Sequence, residues 1–131
     1  EYQHAQYNPQ FLKAVAERHP GAVYLSLSGF GSAAGSPYRS WPAYAAIVEA
    51  MSGIYEYRRE PGRAPRANPV GALGDISSAL FGAVGVLAAL RQRDRTGQGC
   101  ALDIAMTDAM FTFAGHALAS GQATGQFPGL S

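Results

Sequence analysis

Hydrophobic positions along this chain switch between helical and alternating spacing, and the switches mark out its elements. Asn8-Pro9 opens a short amphipathic helix, Gln10–Arg18, with Phe11, Leu12 and Val15 on one side, and Pro20-Gly21 ends it. In Ala22–Ser28 the period drops to two. Val23, Leu25 and Leu27 alternate with Tyr24, Ser26 and Ser28, the pattern of a strand. Gly29–Arg39 reads as a glycine-rich loop. Ile47, Met51 and Ile54 recur at helical spacing and predict a helix over Pro42–Tyr55, whose end Gly53 weakens. Arg58–Pro69 is a basic, proline-rich loop. Ile76–Arg93 is the longest predicted helix and is apolar almost all round, which marks it as central and buried. After the turn Thr96-Gly97-Gln98-Gly99, Ala101–Ala105 is a second strand. Thr107 or Asp108 then caps a last helix to about Ser120, and residues 121–131 read as a loose tail or linker. The order strand, helix, helix, strand predicts an α/β fold. Both strands are expected in one mainly parallel sheet, with Ile76–Arg93 as the crossover helix.

Composition narrows the class. At 131 residues the chain is one domain's worth, and 47% hydrophobic content suits a packed core. A net charge of +1 gives no pull towards nucleic acid or a membrane surface. Charged residues make up only 15%, against a usual ~25%. Together with abundant Gly and Ala, this predicts close helix packing and extensive burial against a second chain. The single cysteine, Cys100, excludes an internal disulfide framework and fits a reducing, cytoplasmic compartment. No apolar run reaches membrane-spanning length without Gly, Asp or Arg interrupting it. The chain opens on Glu1 rather than Met, which suggests a processed product or part of a longer polypeptide.

The candidate chemistry centres on Gly74-Asp75, where the extended stretch 66–73 meets the long apolar helix. A carboxylate at a helix start sees the positive end of the helix dipole and free backbone N–H groups, and both favour its anionic form. Such a group is suited to attack an activated acyl carbon. It is equally suited to be an N-cap and nothing more.

Other motifs carry less. Gly29-x-Gly31-x-x-x-Gly35 follows a strand, but its spacing is one residue too long for a dinucleotide loop, and Ser36-Pro37-Tyr38 stands where a helix should begin. A loop whose backbone approaches a ligand, or simply turns tightly, fits better. His4, His19 and His116 share no metal-ligand spacing, so no metal is expected. No G-x-S-x-G elbow occurs. Arg58, Arg59, Arg63 and Arg66 read as a solvated loop, and Asp103 and Asp108 as structural partners.

Several stretches together resemble a known family. They are Ser26-Leu-Ser-Gly-Phe-Gly31, Ser36-Pro-Tyr-Arg39, Pro42-Ala-Tyr44 and Glu49-Ala-Met-Ser-Gly-Ile54. Further along come Gly74-Asp75-Ile76, Gly85-Val-Leu-Ala-Ala-Leu90, Arg95-Thr-Gly97 and Asp103-Ile-Ala-Met-Thr-Asp-Ala109. In this order and spacing, over about residues 20–120, they resemble the middle of a family III CoA-transferase. That family includes formyl-CoA transferase, carnitine CoA-transferase and α-methylacyl-CoA racemase.

The resemblance implies a Rossmann-like, mainly parallel sheet with flanking helices in an interlocked homodimer, of which residues 1–131 are the central part. It implies that Asp75 is the transferase nucleophile. Tyr44, Gly29, Phe30, Gly31 and Gly74 would border the substrate. The implied substrates are an acyl-CoA thioester and a carboxylic acid acceptor, with no tightly bound cofactor. Racemases of the family carry a His-Asp pair where this chain has Tyr44-Ala45, and neither residue readily removes and returns an α-proton. Transfer is therefore favoured over racemisation. Ala45 and Glu49 depart from the Asp and Gln common at those places. Two alternatives stand beside transfer: racemisation, and an inactive truncated relative that serves only as a folding or interaction module.

Overall fold

A computed structural model describes residues 9–32 and 35–126. Helix α1 (Pro9–Arg18) leads to strand β1 (Tyr24–Ser28), then α2 (Ala45–Met51) and a 3-10 turn over Ile54–Arg58. The long helix α3 (Leu73–Thr96) precedes β2 (Ala101–Ala105), which runs directly into α4 (Met106–Phe111). A 3-10 turn over Thr112–Ala114 joins α4 to α5 (Gly115–Thr124).

The two strands pair in parallel, with Tyr24 opposite Ala101 and Ser28 opposite Ala105. α3 is the crossover between them, as the element order predicts. Its seat on the sheet is set by small residues. Leu25 and Leu102 are register partners and point from one face of the sheet. A Cβ on Gly82 would lie 3.1 Å from Leu25, and one on Gly85 would lie 3.5 Å from Leu102. The two leucines thus enter a notch left by glycines three residues apart on one helix face. On the other side of the sheet, α1 leaves a hollow of 190 Å³ lined by Leu12, Val15, Tyr24 and the half-buried Cys100. The remaining core sits between α2, α3 and α4, where Val48, Met106 and Met110 pack with Ala43, Ile54 and Leu73 around them.

Several predicted boundaries move. β1 begins at Tyr24 rather than Ala22. The helix predicted over Pro42–Tyr55 is reduced to Ala45–Met51, because Tyr44 is extended and Gly53 turns left-handed at φ 81°, a conformation that ends a helix. α3 starts three residues before Ile76 and ends at Thr96, where the Gly97 N–H donates to the Arg93 carbonyl. The expected last helix is two pieces, and it does not stop at Ser120. α5 continues to Thr124, and Gly125 closes it by donating to Gly121. Residues 121–124 are therefore helical rather than loose tail, while 127–131 lie outside the described residues.

The largest correction concerns the expectation that α3 is buried. Its covered face is Gly74, Ser77, Ser78, Gly82 and Ala89. Its large apolar residues face outward instead: Ile76, Leu80, Val84 and Leu87 are each more than half exposed. Close approach to the sheet selects small residues on the inner face, so the bulky ones occupy the other. The helix is long and apolar enough to cross a membrane, although its inner face is already packed on protein.

The packing distinguishes two glycine substitutions. Gly74→Ala drives a methyl into Val48 and the Ala45 backbone and is expected to destabilise the complete protein by about 1–3 kcal/mol. Gly115→Ala meets open space on a helical residue and is expected to be neutral or to stabilise by up to about 1 kcal/mol. Paired denaturant titrations check both. Equal effects at the two sites would contradict the α2–α3 contact.

Candidate active site

The site assembles at the carboxyl end of β1, the edge where ligands gather in open α/β sheets. Two glycines there have no room for a side chain. A Cβ on Gly29 would collide with the Ala43 methyl, and one on Gly74 would lie 2.6 Å from Val48 Cγ2 and 3.1 Å from Ala45 Cα. Ala43 and Ala45 flank Tyr44. The lead-in to α2 therefore bridges the strand-end loop and the first turn of α3. Tyr44 itself is extended, with φ −121° and ψ 158°, and the residue is 73% exposed. Gly29, Tyr44 and Gly74-Asp75 are thus brought to one corner of the molecule.

Phe30 and Gly31 lie deeper, both buried. The Phe30 ring sits 5.5 Å from Tyr38, and Tyr38 meets Trp41 edge-on at 4.9 Å. The loop is tied down at two points. Thr107 donates its backbone N–H (3.1 Å) and its hydroxyl (3.2 Å) to the Gly29 carbonyl. Ser32 donates its N–H (2.8 Å) and its hydroxyl (2.6 Å) to Asp103 Oδ2. Asp103 is accordingly a structural partner, and the Ser32 amide is already engaged.

Asp75 is the third residue of α3 rather than its cap. The capping position belongs to Ala72, which is left-handed at φ 47° and ψ 22° and offers no side-chain hydrogen bond. A left-handed alanine costs about 1–2 kcal/mol. The Asp75 side chain is exposed, and among the described residues its carboxylate has no hydrogen-bond partner. The reading of Asp75 as an N-cap is thereby corrected: the helix begins too early for it.

The residue before it is held on every side. The Gly74 N–H donates to Glu49 Oε1 at 3.1 Å, and the hydroxyls of Ser77 and Ser78 both donate to the Gly74 carbonyl. Glu49 is 1% exposed, and its second oxygen accepts the Tyr55 hydroxyl at 2.8 Å. A carboxylate this deep persists only when hydrogen-bonded, and here each oxygen has a donor. The other candidate groups disperse. Arg59 pairs with Glu56, while Arg63 and Arg66 pair with Glu60, all on the surface. His19 and His116 are exposed, and His4 lies outside the described residues.

Residues 12–130 match the model of CoA-transferase family III. This chain belongs to that family. It is 38% identical over 114 residues to the acetyl-CoA:oxalate CoA-transferase of Acetobacter aceti, an alignment covering 87% of this chain and 29% of that protein. It is also 38% identical over 93 residues to the succinyl-CoA–L-malate CoA-transferase alpha subunit of Chloroflexus aurantiacus, covering 71% of this chain and 21% of that one. The crystal structure of a CaiB/BaiF family protein from Brucella suis superposes with a TM-score of 0.80 at 29% identity, over 95% of this chain and 31% of that one. The family III segment in hand thus spans under a third of the length of these relatives.

Sequence reasoning missed two features of this family III corner. Glu49 was noted only as a departure from Gln. Its signal was a lone carboxylate within the otherwise apolar Ala45–Met51, six residues before a tyrosine. Trp41 carries no local sequence signal, yet it extends the Phe30–Tyr38 aromatic group and is 60% exposed.

The Tyr55–Glu49 pair makes a pH-dependent prediction. Burial raises the Tyr55 pKa above 10.0, and the hydrogen bond and negative charge of Glu49 raise it further, against a smaller pull from the Asn68 backbone N–H. The folded state therefore holds this proton more tightly than the unfolded state. The resulting stability is fully present below about pH 10 and is lost as pH rises through the folded value. Tyr55→Phe is expected to flatten the alkaline limb of a stability–pH curve. An unchanged limb would show that Tyr55 does not titrate there.

Proposed function

We propose that the complete protein transfers coenzyme A from an acyl-CoA thioester to a carboxylic acid, with Asp75 as the covalent nucleophile. The observation that carries the reading is an exposed carboxylate with no hydrogen-bond partner among the described residues, on a helix turn whose neighbouring residue is pinned through both N–H and C=O. An unpartnered anion on a fixed backbone is free to attack yet held in direction. The two relatives described above, whose names are those of CoA-transferases, support the same class of reaction.

The chemistry follows from that group. An Asp75 oxygen adds to the thioester carbonyl, the C–S bond breaks, and CoA leaves as thiolate from a mixed anhydride. The thiolate then attacks the aspartyl carbonyl and expels the donor acid, leaving an aspartyl-CoA thioester. The acceptor carboxylate attacks that carbonyl in turn and releases thiolate from a second anhydride. Attack of the thiolate on the acceptor acyl carbon forms the new thioester and returns the Asp75 carboxylate. In this reading the exposed Tyr44, whose neighbours Ala43 and Ala45 make the Gly29 and Gly74 contacts, lines the acyl group, and the Phe30–Tyr38–Trp41 aromatics offer a further apolar surface. No other protein-bound cofactor takes part in this scheme. The Rossmann-like sheet and the homodimer belong to the same proposal, supported by the parallel β1–β2 pair and the exposed apolar stripe of α3.

Asp75→Asn keeps shape and removes the anion. The fold and melting temperature are expected to stay near wild type, because the side chain is exposed and makes no cap. Transfer is expected to fall by several orders of magnitude. Incubation with acyl-CoA followed by hydroxylamine should leave a hydroxamate at Asp75, mapped by mass spectrometry. Full transfer in Asp75→Asn, or a label on another carboxylate, defeats the reading. Exchange of the α-proton with solvent without CoA transfer would replace it with racemisation, and an inert complete protein would favour the interaction-module alternative.

The oligomer is tested separately. Light scattering of the complete protein is expected to report a dimer, and a monodisperse monomer would remove that part of the proposal.

A further inference from the structure

We propose that Glu49 is the positioning residue of this site: its buried carboxylate, carried on α2, caps the first turn of α3 at Gly74 and so fixes the backbone that presents Asp75. The inference rests on the CoA-transfer reading for its catalytic consequence and on geometry for the rest. The first four N–H groups of a helix have no partner within it. In α3 the residue in the capping position is Ala72, which has no side-chain acceptor. Glu49 supplies one from another element. Its Oε1 lies 3.1 Å from the Gly74 nitrogen, and its Oε2 is held at 2.8 Å by the Tyr55 hydroxyl. The carboxylate is 1% exposed, so water does not substitute for either donor. An anion at this end of a helix is also favoured by the dipole.

The cap works together with the missing side chain at Gly74. Because a Cβ there would strike Val48 and the Ala45 backbone, α2 approaches closely enough for Glu49 to reach the amide. On its other side the Gly74 carbonyl is taken by the Ser77 and Ser78 hydroxyls. The two peptide units flanking Gly74 thus have little freedom to rotate, one held by Glu49 and the other by the two serines, while the Asp75 side chain stays exposed. Glu49 has no described contact with Asp75 and acts only through Gly74.

The test uses three substitutions in the complete protein. Glu49→Gln keeps an acceptor for the Gly74 N–H and turns its amide N–H towards the Tyr55 oxygen. Its kcat is expected within about threefold of wild type. Glu49→Met keeps the volume but leaves the Gly74 N–H and the Tyr55 hydroxyl buried without partners. Its kcat, normalised to folded protein, is expected to fall about 100-fold, with KM for acyl-CoA moved less than about threefold. Amide hydrogen exchange at residues 74–77 is expected to quicken in Glu49→Met and not in Glu49→Gln.

A folded Glu49→Met protein with wild-type kcat overturns the proposal, even if its melting temperature drops, because that is the signature of a purely structural residue. A Glu49→Gln protein as impaired as Glu49→Met also overturns it, since the cap would then have been restored without effect. Should Glu49→Met fail to fold, Tyr55→Phe decides. It frees one carboxylate oxygen and is expected to lower kcat roughly fivefold, and unchanged turnover there counts against the proposal. If wild-type protein carries no label at Asp75 while the exchange pattern follows Glu49 as stated, the CoA-transfer reading fails and the Glu49 cap stands.

Discussion

Two helices approach closely only where one of them lacks a side chain, and at the edge of this site that place is Gly74. The absence of a Cβ lets the Ala45–Val48 surface of α2 lie against the first turn of α3. The same closeness brings the Glu49 carboxylate within reach of the Gly74 amide. Neither feature is stable alone. Without the glycine, the buried carboxylate would lose a donor. Without the carboxylate, the start of α3 would bury an unpaired N–H, a cost of about 1–3 kcal/mol. The left-handed Ala72 immediately before the helix adds strain that this contact must hold. Strain and a buried charge meet at one turn, and the next side chain along is an exposed acidic group with no hydrogen-bond or ion-pair partner among the described residues.

That arrangement separates two jobs which a single carboxylate at a helix start usually combines. An N-cap aspartate spends its oxygens on backbone donors and is a poorer nucleophile for it. Here Glu49 supplies the acceptor from inside and Asp75 keeps both oxygens open outside. The division gives the Glu49 carboxylate two donors in a buried environment, where carboxylates are rarely found unless paired.

The place of Asp75 in the first turn of the long helix is legible in the sequence, because a Gly-Asp step before a long apolar run is a local pattern. The Glu49–Gly74 bond is not, because it joins positions 25 apart and depends on where α2 lands. The same distinction runs through the fold. Both strands, their parallel pairing and the crossover helix follow from period and order, which are local or combinatorial properties. Helix ends were displaced wherever a backbone conformation outweighed side-chain pattern, as at Gly53 and Ala72. The tail was misjudged for a related reason. Gly121 and Gly125 suggested a loop, yet only Gly125 is left-handed, and it terminates a helix rather than preventing one.

The orientation of α3 was the least legible feature. An apolar sequence all round states that a helix is surrounded, not which neighbours surround each face. In this chain the sheet and its flanking helices take the glycine and serine face, leaving Ile76, Leu80, Val84 and Leu87 on the outer one. Those four residues recur at helical spacing and make a continuous ridge. Burying a side chain of this kind is worth about 1.5–3 kcal/mol, so an uncovered ridge forgoes a sum comparable with a domain's whole stability. The relatives are more than three times as long as the segment that matches them. Among the described residues no element covers that ridge. The glycine notch and the apolar ridge of α3 thus divide one helix between two faces, with small residues where the sheet approaches closely and large ones on the side that the described residues leave open.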